Sequence, residues 1–146
     1  MDIFQILKKE HEQVKNLMNQ AQSKKEGRTG DLMNQIHKEL MIHMQGEEKL
    51  FYPTLEEDDS SREKALEAYE EHHVAKGVLK ELQKMPQSDE RWMAKLAVLK
   101  EIVEHHVQEE EKELFKMARG VFDKEEVKEI GKKYLEEKER MMSSMK

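Results

Sequence analysis

The sequence predicts an all-α fold: an up-down-up-down antiparallel four-helix bundle followed by a short C-terminal fifth helix. Charged residues make up 40% of the chain and aromatic residues 5%, with 2 prolines, a composition typical of long solvated helices that share a narrow apolar seam. Apolar residues recur at helical spacing in four long segments. The connections between these segments are short, which favours antiparallel neighbours. At 146 residues the chain is predicted to form one domain over 1–146.

Capping residues and helix breakers set the expected ends of the five segments. A serine or aspartate followed three residues later by glutamate or glutamine predicts a capping box at a helix start. Proline and glycine predict the places where a helix stops. The five predicted segments are Asp2 to the stretch SKKEGRTG at 23–30, about Asp31 to Pro53, Ser60 to about Met85, near Ser88 to about Arg119, and Asp123 through about Arg140. The capping-box partners are Gln5 for Asp2, Glu63 for Ser60 and Glu126 for Asp123, and Gly120 is the expected stop of the fourth segment.

Composition also excludes several classes of protein. The formal net charge is −6 and basic residues are scattered among acids, so no nucleic-acid partner is expected. No apolar run is long enough to span a bilayer, and charges interrupt the N-terminal apolar stretch, so neither a membrane partner nor a signal peptide is expected. Because there is no cysteine, disulfides, thiolate metal sites and thiol catalysis are excluded. The expected location is the cytoplasm.

The four long segments resemble one helical hairpin written twice. Aligning KKEHEQVKNLM with YEEHHVAKGVL places His11 on His72. Aligning IHKELMIHMQGEEK with LKEIVEHHVQEEEK places the His-x-x-x-Glu step of the second helix on that of the fourth. The internal repeat predicts a pseudo-two-fold arrangement, which a site between the hairpins would exploit.

Helical geometry places the repeated histidines and glutamates on the faces that point into the bundle. Residues at i, i+4, i+7 and i+11 share one face of an α-helix. Every long helix carries one inward histidine, and two helices add a glutamate one turn later. The four stripes are Phe4, Leu7, His11, Val14, Met18; Ile36, Leu40, His43, Glu47; Ala65, Ala68, His72, Ala75, Leu79; and Leu99, Val103, His106, Glu110.

Two core glutamates need a compensating charge, because burying an unpaired carboxylate costs several kcal/mol. No lysine or arginine lies on the stripes, so a bound cation is predicted to supply that charge. Four imidazoles and two carboxylates suit two metal ions, with both carboxylates bridging and with coordination positions left for small ligands. This ligand chemistry suits iron, with zinc or manganese as alternatives. A lone inward histidine is more often a hydrogen-bonded core residue, and a helical interaction protein with structural histidines is therefore the competing interpretation.

Four stretches carry a resemblance to a known family. ILKKEHEQVKNLM, IHMQGEEKLFYP, YEEHHVAKGVL and EHHVQEEEKELF resemble, in this order, the signature segments of the hemerythrin-like, HHE cation-binding domain. The resemblance covers nearly the whole chain, including the final helix. It implies a four-helix bundle around a non-haem di-iron site with two oxo- or hydroxo-bridged iron ions. Carried over residue by residue, it implies the metal ligands His11, His43, Glu47, His72, His106 and Glu110, with the two glutamates bridging.

Two histidine doublets leave a choice of register. His106 continues the buried stripe of its helix, whereas His105 does not, and both begin an HxxxE step. His72 matches the first-helix histidine in its distance to the apolar pair that follows. The preferred ligands are therefore His72 and His106, with His73 and His105 as flanking or supporting residues. His37 is predicted to lie at the surface.

Lys76 marks a departure from part of the family. Respiratory hemerythrins carry a second histidine one turn after the third-helix ligand, and this sequence has Lys76 there. The remaining set of four histidines and two glutamates is symmetric, and it is similar to the di-iron bundle of the iron-centre repair proteins that respond to nitric oxide and oxidative stress. Those proteins carry cysteines in an added N-terminal segment. Neither respiratory oxygen carriage nor thiol-dependent repair therefore follows from the resemblance.

The predicted function is that of a non-haem di-iron protein. It would bind or react with oxygen, nitric oxide or peroxide, in sensing, scavenging or a stress response. The alternative is an iron-storage or iron-sensing module without redox catalysis, and the sequence leaves the oligomeric state open. Aromatic residues are assigned to core and bundle-end packing, where they would also shield the site from water. They are Phe4, Phe51, Tyr52, Phe115 and Phe122.

Overall fold

Helices make up nearly all of the computed structural model, which describes residues 1–23 and 29–145. Two π-helical segments each join a pair of α-helices end to end, so the elements form five rods. This architecture confirms the predicted all-α fold. The elements are α1 (Ile3–Gln22), α2 (Thr29–Gly46), the first π segment (Glu47–Phe51), α3 (Tyr52–Glu57), α4 (Arg62–Lys84), α5 (Trp92–Glu109), the second π segment (Glu110–Leu114), α6 (Phe115–Val121) and α7 (Lys124–Ser144).

The first four rods form the bundle and the fifth lies against its outside. Helix α1 packs on α2 and α5, and α4 packs on α5 and α2, so that each rod has two bundle neighbours. Helix α7 packs on α1, α2 and the first π segment. At 21 residues it is longer than predicted. Within the described residues, no helix has the apolar length needed to cross a membrane.

Capping boxes begin the first and the last helix, as predicted. The Asp2 carboxylate accepts a hydrogen bond from the backbone N–H of Gln5 at 2.9 Å, and Asp123 accepts one from Glu126 at 2.8 Å. In both boxes the N3 side chain accepts a bond from the backbone N–H of the cap. These bonds satisfy N–H groups that the first turn of a helix leaves free. The predicted end of the first helix falls partly on residues 24–28, which are outside the described residues.

The predicted start of the third long helix was wrong. Ser61, rather than Ser60, is the N-cap of α4, and it makes no side-chain capping bond. Its hydroxyl donates instead to the backbone carbonyl of Leu55 at 2.7 Å, while the Ser60 hydroxyl donates to Asp58 at 2.6 Å. Both serines therefore stabilise the connection between α3 and α4 rather than the first turn of α4.

Two further predicted boundaries were wrong. Pro53 does not end the second rod, because it lies in the first turn of α3, where a missing N–H is tolerated. The fourth rod likewise begins only at Trp92 and passes Gly120 before it ends at Val121. Each π segment begins at the glutamate of an HxxxE step. Such wide turns inside α-helices are frequent at functional sites.

The hydrophobic core is divided into two clusters. One contains Trp92 and the buried methionines Met18, Met33 and Met44. The other contains the aromatic residues of the opposite end, including Phe51. Along each of the four bundle rods the inward histidine lies between residues of the two clusters. The core therefore holds a polar layer at the middle of the bundle.

Candidate metal centre

All six residues predicted to bind metal lie in this polar layer. Each is buried, and Glu47 is 0% exposed. They form two overlapping groups, and the candidate ligand atoms in each group lie within 4.8 Å of one another. The first group is His11, His43, Glu47 and Glu110, and the second is Glu47, His72 and His106. The folded chain thus brings together residues from all four bundle rods.

The histidine doublets divide between the inside and the outside of the bundle. His72 and His106 are buried in the layer. His73 lies on the exposed face of α4, and the side chain of His105 is 67% exposed. His37 is partly exposed and belongs to neither buried group. The buried member of each doublet is therefore the one that the stripe pattern favours.

Four close contacts join an imidazole to a carboxylate across the layer. Two ligand atoms that bind one ion at about 2.1 Å and at right angles to each other are separated by about 3.0 Å. The observed separations fit this arrangement. They are His11 Nε2 to Glu110 Oε1 at 3.2 Å, His43 Nε2 to Glu47 Oε1 at 3.1 Å, His72 Nε2 to Glu47 Oε1 at 3.2 Å, and His106 Nε2 to Glu110 Oε2 at 3.2 Å.

Several buried atoms of the layer lack a hydrogen-bond partner among the residues that the structure describes. Leaving such an atom unsatisfied costs about 1–3 kcal/mol, and native proteins contain few of them. Cations bound in the two groups would give these atoms partners. Imidazole nitrogen together with carboxylate oxygen suits iron, zinc or manganese. The atoms are Nε2 of His11, Nε2 of His43, both carboxylate oxygens of Glu47, and Oε1 of Glu110.

The Nδ1–H group of each inward imidazole donates a hydrogen bond to a second glutamate. A carboxylate in this position fixes the ring and aims Nε2 at the centre of the layer, as it does behind metal-binding histidines. We call these four residues the supporting glutamates. The pairs are His11 with Glu111 at 2.6 Å, His43 with Glu10 at 2.8 Å, His72 with Glu48 at 2.8 Å, and His106 with Glu71 at 2.7 Å.

The supporting glutamates were not predicted from the sequence, although the internal repeat contains them. The alignment that places His11 on His72 also places Glu10 on Glu71. The alignment of the two HxxxE steps likewise places Glu48 on Glu111. Each is a sequence neighbour of a predicted ligand. The sequence signal for these residues was therefore an additional glutamate next to each predicted ligand, present at matching positions in both halves of the chain.

The charges of the layer influence one another strongly. Burial lowers the pKa of His106, but Glu110 and Glu71 outweigh this effect and raise it to about 10. Burial raises the pKa of Glu10, but hydrogen bonds, led by the one from His43, lower it to about 2. The carboxylates therefore favour positive charge in the layer. Protons on the imidazoles or bound metal ions would provide it, and metal binding would displace those protons.

Tyr52 is part of the layer, although it was predicted to serve in packing. Its buried hydroxyl donates to Glu110 and lies 3.2 Å from Nε2 of both His72 and His106. The alignment of the two HxxxE steps places Tyr52 on Phe115, which has no side-chain oxygen. The centre is therefore asymmetric, in contrast to the symmetric set that was predicted. The sequence signal for this asymmetry was a tyrosine in one half of the repeat where the other half has a phenylalanine.

Lys76, which stands where respiratory hemerythrins have a further histidine, supports the layer indirectly. Its ammonium donates to Glu48 Oε2 at 2.8 Å, and Glu48 in turn accepts the hydrogen bond from His72. Lys76 is half-buried. Lys76 thereby fixes the position of the supporting glutamate Glu48.

A small cavity of about 20 Å³ lies against the layer. This volume is enough for a molecule about the size of water, since one water needs roughly 10–15 Å³ on the same measure. It is too small for an organic substrate. Apart from the four inward histidines and Glu71, its lining is aliphatic, with Leu40, Met44, Ala75 and Val103 among the contributing residues.

Comparisons with known proteins give one matching family model and one solved structure with the same fold. The sequence model of the Hemerythrin HHE cation binding domain matches residues 2–118. The crystal structure of an HHE cation-binding domain-containing protein from Mycobacterium kansasii has a TM-score of 0.88 and 24% identity, covering 99% of this chain and 89% of that one. A DNA nickase from Nostoc sp. is 25% identical over 134 residues; the match includes 88% of this chain but only 37% of that protein.

Proposed function

Because the chain belongs to the hemerythrin HHE cation-binding domain family, we propose that it is a non-haem di-iron protein. One observation carries this proposal. Buried imidazole and carboxylate atoms lack hydrogen-bond partners within the described residues, and they face one another at the separation expected of two ligands on one ion. The first iron position would be held by His11 and His43, the second by His72 and His106, and both by Glu47 and Glu110.

The proposed activity is binding of, or reaction with, oxygen, nitric oxide or peroxide, in sensing, scavenging or a stress response. Iron would supply redox chemistry and positions for such a ligand. The supporting glutamates would keep the imidazoles oriented, and the aliphatic cavity would exclude molecules larger than a diatomic or peroxide. Tyr52 would provide an oxygen ligand at the second position, leaving more room for a small ligand at the first.

Spectroscopy of the iron-loaded chain tests this proposal against its alternative. Visible spectra would be recorded before and after exposure to oxygen, nitric oxide and hydrogen peroxide. We expect at least one of them to change the spectrum, because iron held by these six residues would keep positions for a small ligand. An unchanging spectrum in an iron-loaded protein would favour the alternative, an iron-storage or iron-sensing module without redox catalysis.

Replacing Tyr52 with phenylalanine is expected to weaken binding of one of the two ions. The substitution removes only the hydroxyl that lies between His72 and His106. In the iron(III) protein it should also remove the visible absorption that a tyrosinate ligand contributes. Absorption spectra and metal content provide the measurement. Tyr69→Phe is the control, because Tyr69 contacts the ring of Tyr52 but its hydroxyl lies outside the layer. A Tyr52→Phe spectrum identical to that of the wild type would contradict the assignment.

The histidine doublets predict a pattern of metal loss. Alanine at His72 or His106 is expected to lower the metal content sharply, because each replacement removes a buried nitrogen of the layer. Alanine at the exposed neighbours His73 and His105 should leave it unchanged. Elemental analysis of the four variants gives the answer. Loss of metal from either exposed-residue variant would mean that the wrong member of the doublet had been chosen.

A further inference from the structure

Helix α7 contacts the polar layer, although it lies beyond the residues that the family's sequence model matches. The hydroxyl of Tyr134 donates to Glu10 Oε1, and the ammonium of Lys138 donates to Glu10 Oε2 at 2.7 Å. Glu10 Oε1 also accepts the hydrogen bond from His43 Nδ1 at 2.8 Å. Tyr134 is 1% exposed and Glu10 is 7% exposed. Both oxygens of this supporting glutamate are therefore held by α7 and His43.

Close packing determines where α7 lies. A side chain at Gly46, on α2, would clash with the ring of Tyr134. A Cβ at Gly131, on α7 itself, would lie 2.8 Å from the carbonyl oxygen of Met1 and 3.0 Å from the backbone nitrogen of Ile3. Two glycines thus allow α7 to approach the bundle closely enough for its polar side chains to reach Glu10.

The glutamate that corresponds to Glu10 in the other half of the bundle is held by fewer contacts within the described residues. Glu71 corresponds to Glu10 and holds His106 at 2.7 Å, but it is only half-buried. Its second oxygen lies 3.9 Å from the exposed ring of His105, beyond hydrogen-bonding distance. Within the described residues, the fifth helix therefore supports one half of the repeat and not the other.

We propose that Tyr134 and Lys138 are positioning residues of the metal centre, which fix Glu10 so that it orients His43 toward the first metal position. This inference rests on the proposed metal-binding function. A carboxylate held by donors on both oxygens cannot rotate freely, so His43 keeps one orientation. Loss of a group that holds a metal-binding histidine typically costs about 10–100-fold in metal affinity, and a Glu10 that is free to rotate would no longer hold His43. The effect should be confined to the ion at His11 and His43, because α7 makes no such contact with Glu71 in the part of the chain that the structure describes.

Release of metal to a chelator tests this inference. The 146-residue chain would be loaded with iron and mixed with excess chelator, and the absorbance of the chelate would be followed over time. In Tyr134→Phe combined with Lys138→Met, we expect one of the two ions to leave about 10-fold faster or more. Release of the second ion and the far-UV circular dichroism should not change. Lys138→Arg, which keeps a donor, should release metal more slowly than Lys138→Met.

Two sets of variants separate the proposed role from a general loosening of α7. Lys49→Met removes the ion pair with Glu137 at 3.1 Å, which also joins α7 to the bundle but does not involve Glu10; it should release both ions at the wild-type rate. Glu10→Gln should accelerate release of the same single ion. Adding Tyr134→Phe to Glu10→Gln should have little further effect, because residues that act through one group are not additive.

The possible results distinguish this inference from the proposed function. Loaded variants that release both ions at the wild-type rate would overturn the inference alone. Equal acceleration of both ions, or acceleration by Lys49→Met of the same size, would overturn it as well, since α7 would then act through overall stability. A wild-type chain that takes up no metal would overturn the proposed function and with it the inference.

Discussion

Replacing Glu47 with alanine is expected to abolish binding of both metal ions. Its Oε1 atom lies 3.1 Å from Nε2 of His43 and 3.2 Å from Nε2 of His72, so the carboxylate serves both candidate positions. Without it, neither position keeps its full ligand set, and part of the negative charge that attracts cations is lost. Elemental analysis should find the metal content reduced from about two ions per chain to well below one.

Glu109→Ala is the matched control for this experiment. Glu109 belongs to the alternative HxxxE step that begins at His105, and its side chain is 31% exposed. The variant should keep its metal. Full retention of metal by Glu47→Ala would refute the bridging assignment, while loss from Glu109→Ala would point to the surface group formed by Glu71, His105 and Glu109.

Removing the metal should destabilise the fold by about 8 kcal/mol if each ion is present at about 1,000 times its dissociation constant. For a chain of this size, that free energy corresponds to a melting temperature lower by roughly 15–30 °C. The physical reason is the group of buried carboxylates and imidazoles that loses its cations. Thermal unfolding followed by circular dichroism, with and without a chelator, measures the difference. An unchanged melting temperature in protein that has demonstrably lost its metal would contradict this expectation.

The same experiment has a predicted pH dependence. In the metal-free protein, a proton on His106 partly replaces the missing cation, because the folded-state pKa of about 10 is above the ordinary value of 6.5. Stability from this proton is fully present below the unfolded-state pKa and is lost as the pH rises through the folded-state value. The stability gap between metal-loaded and metal-free protein should therefore widen from neutral to alkaline pH. A stability difference that becomes smaller from neutral to alkaline pH would contradict the predicted direction of this effect.

Helical periodicity was sufficient to predict which side chains meet at the centre of the bundle. The inward stripes depend only on the spacing of residues along a helix, and the internal repeat showed that His11 and His72 occupy corresponding positions. Helix boundaries near the π segments were harder, because the apolar pattern carries no mark of a wider turn. Pro53 was expected to end its helix because proline usually breaks one, but it lies in the first turn of α3, where it is tolerated, and the rod continues to Glu57.

The second layer of the site could not be predicted in the same way. The repeat aligns Glu71 with Glu10, but the chain has 32 aspartates and glutamates, and only the fold shows which of them hold a histidine. Tyr52 looks like a packing aromatic, since its hydroxyl acquires a role only from its neighbours in space. The bond between Tyr134 and Glu10 joins residues 124 positions apart, a separation at which local sequence patterns carry no signal.

The metal content of the wild-type chain tests the central claim most directly. The protein would be purified from iron-supplemented cells, and its iron measured against its concentration. We predict about two irons per chain, matched to a centre of four imidazoles and two shared carboxylates. A value near zero, together with a melting temperature that a chelator does not change, would show that the buried histidines are structural.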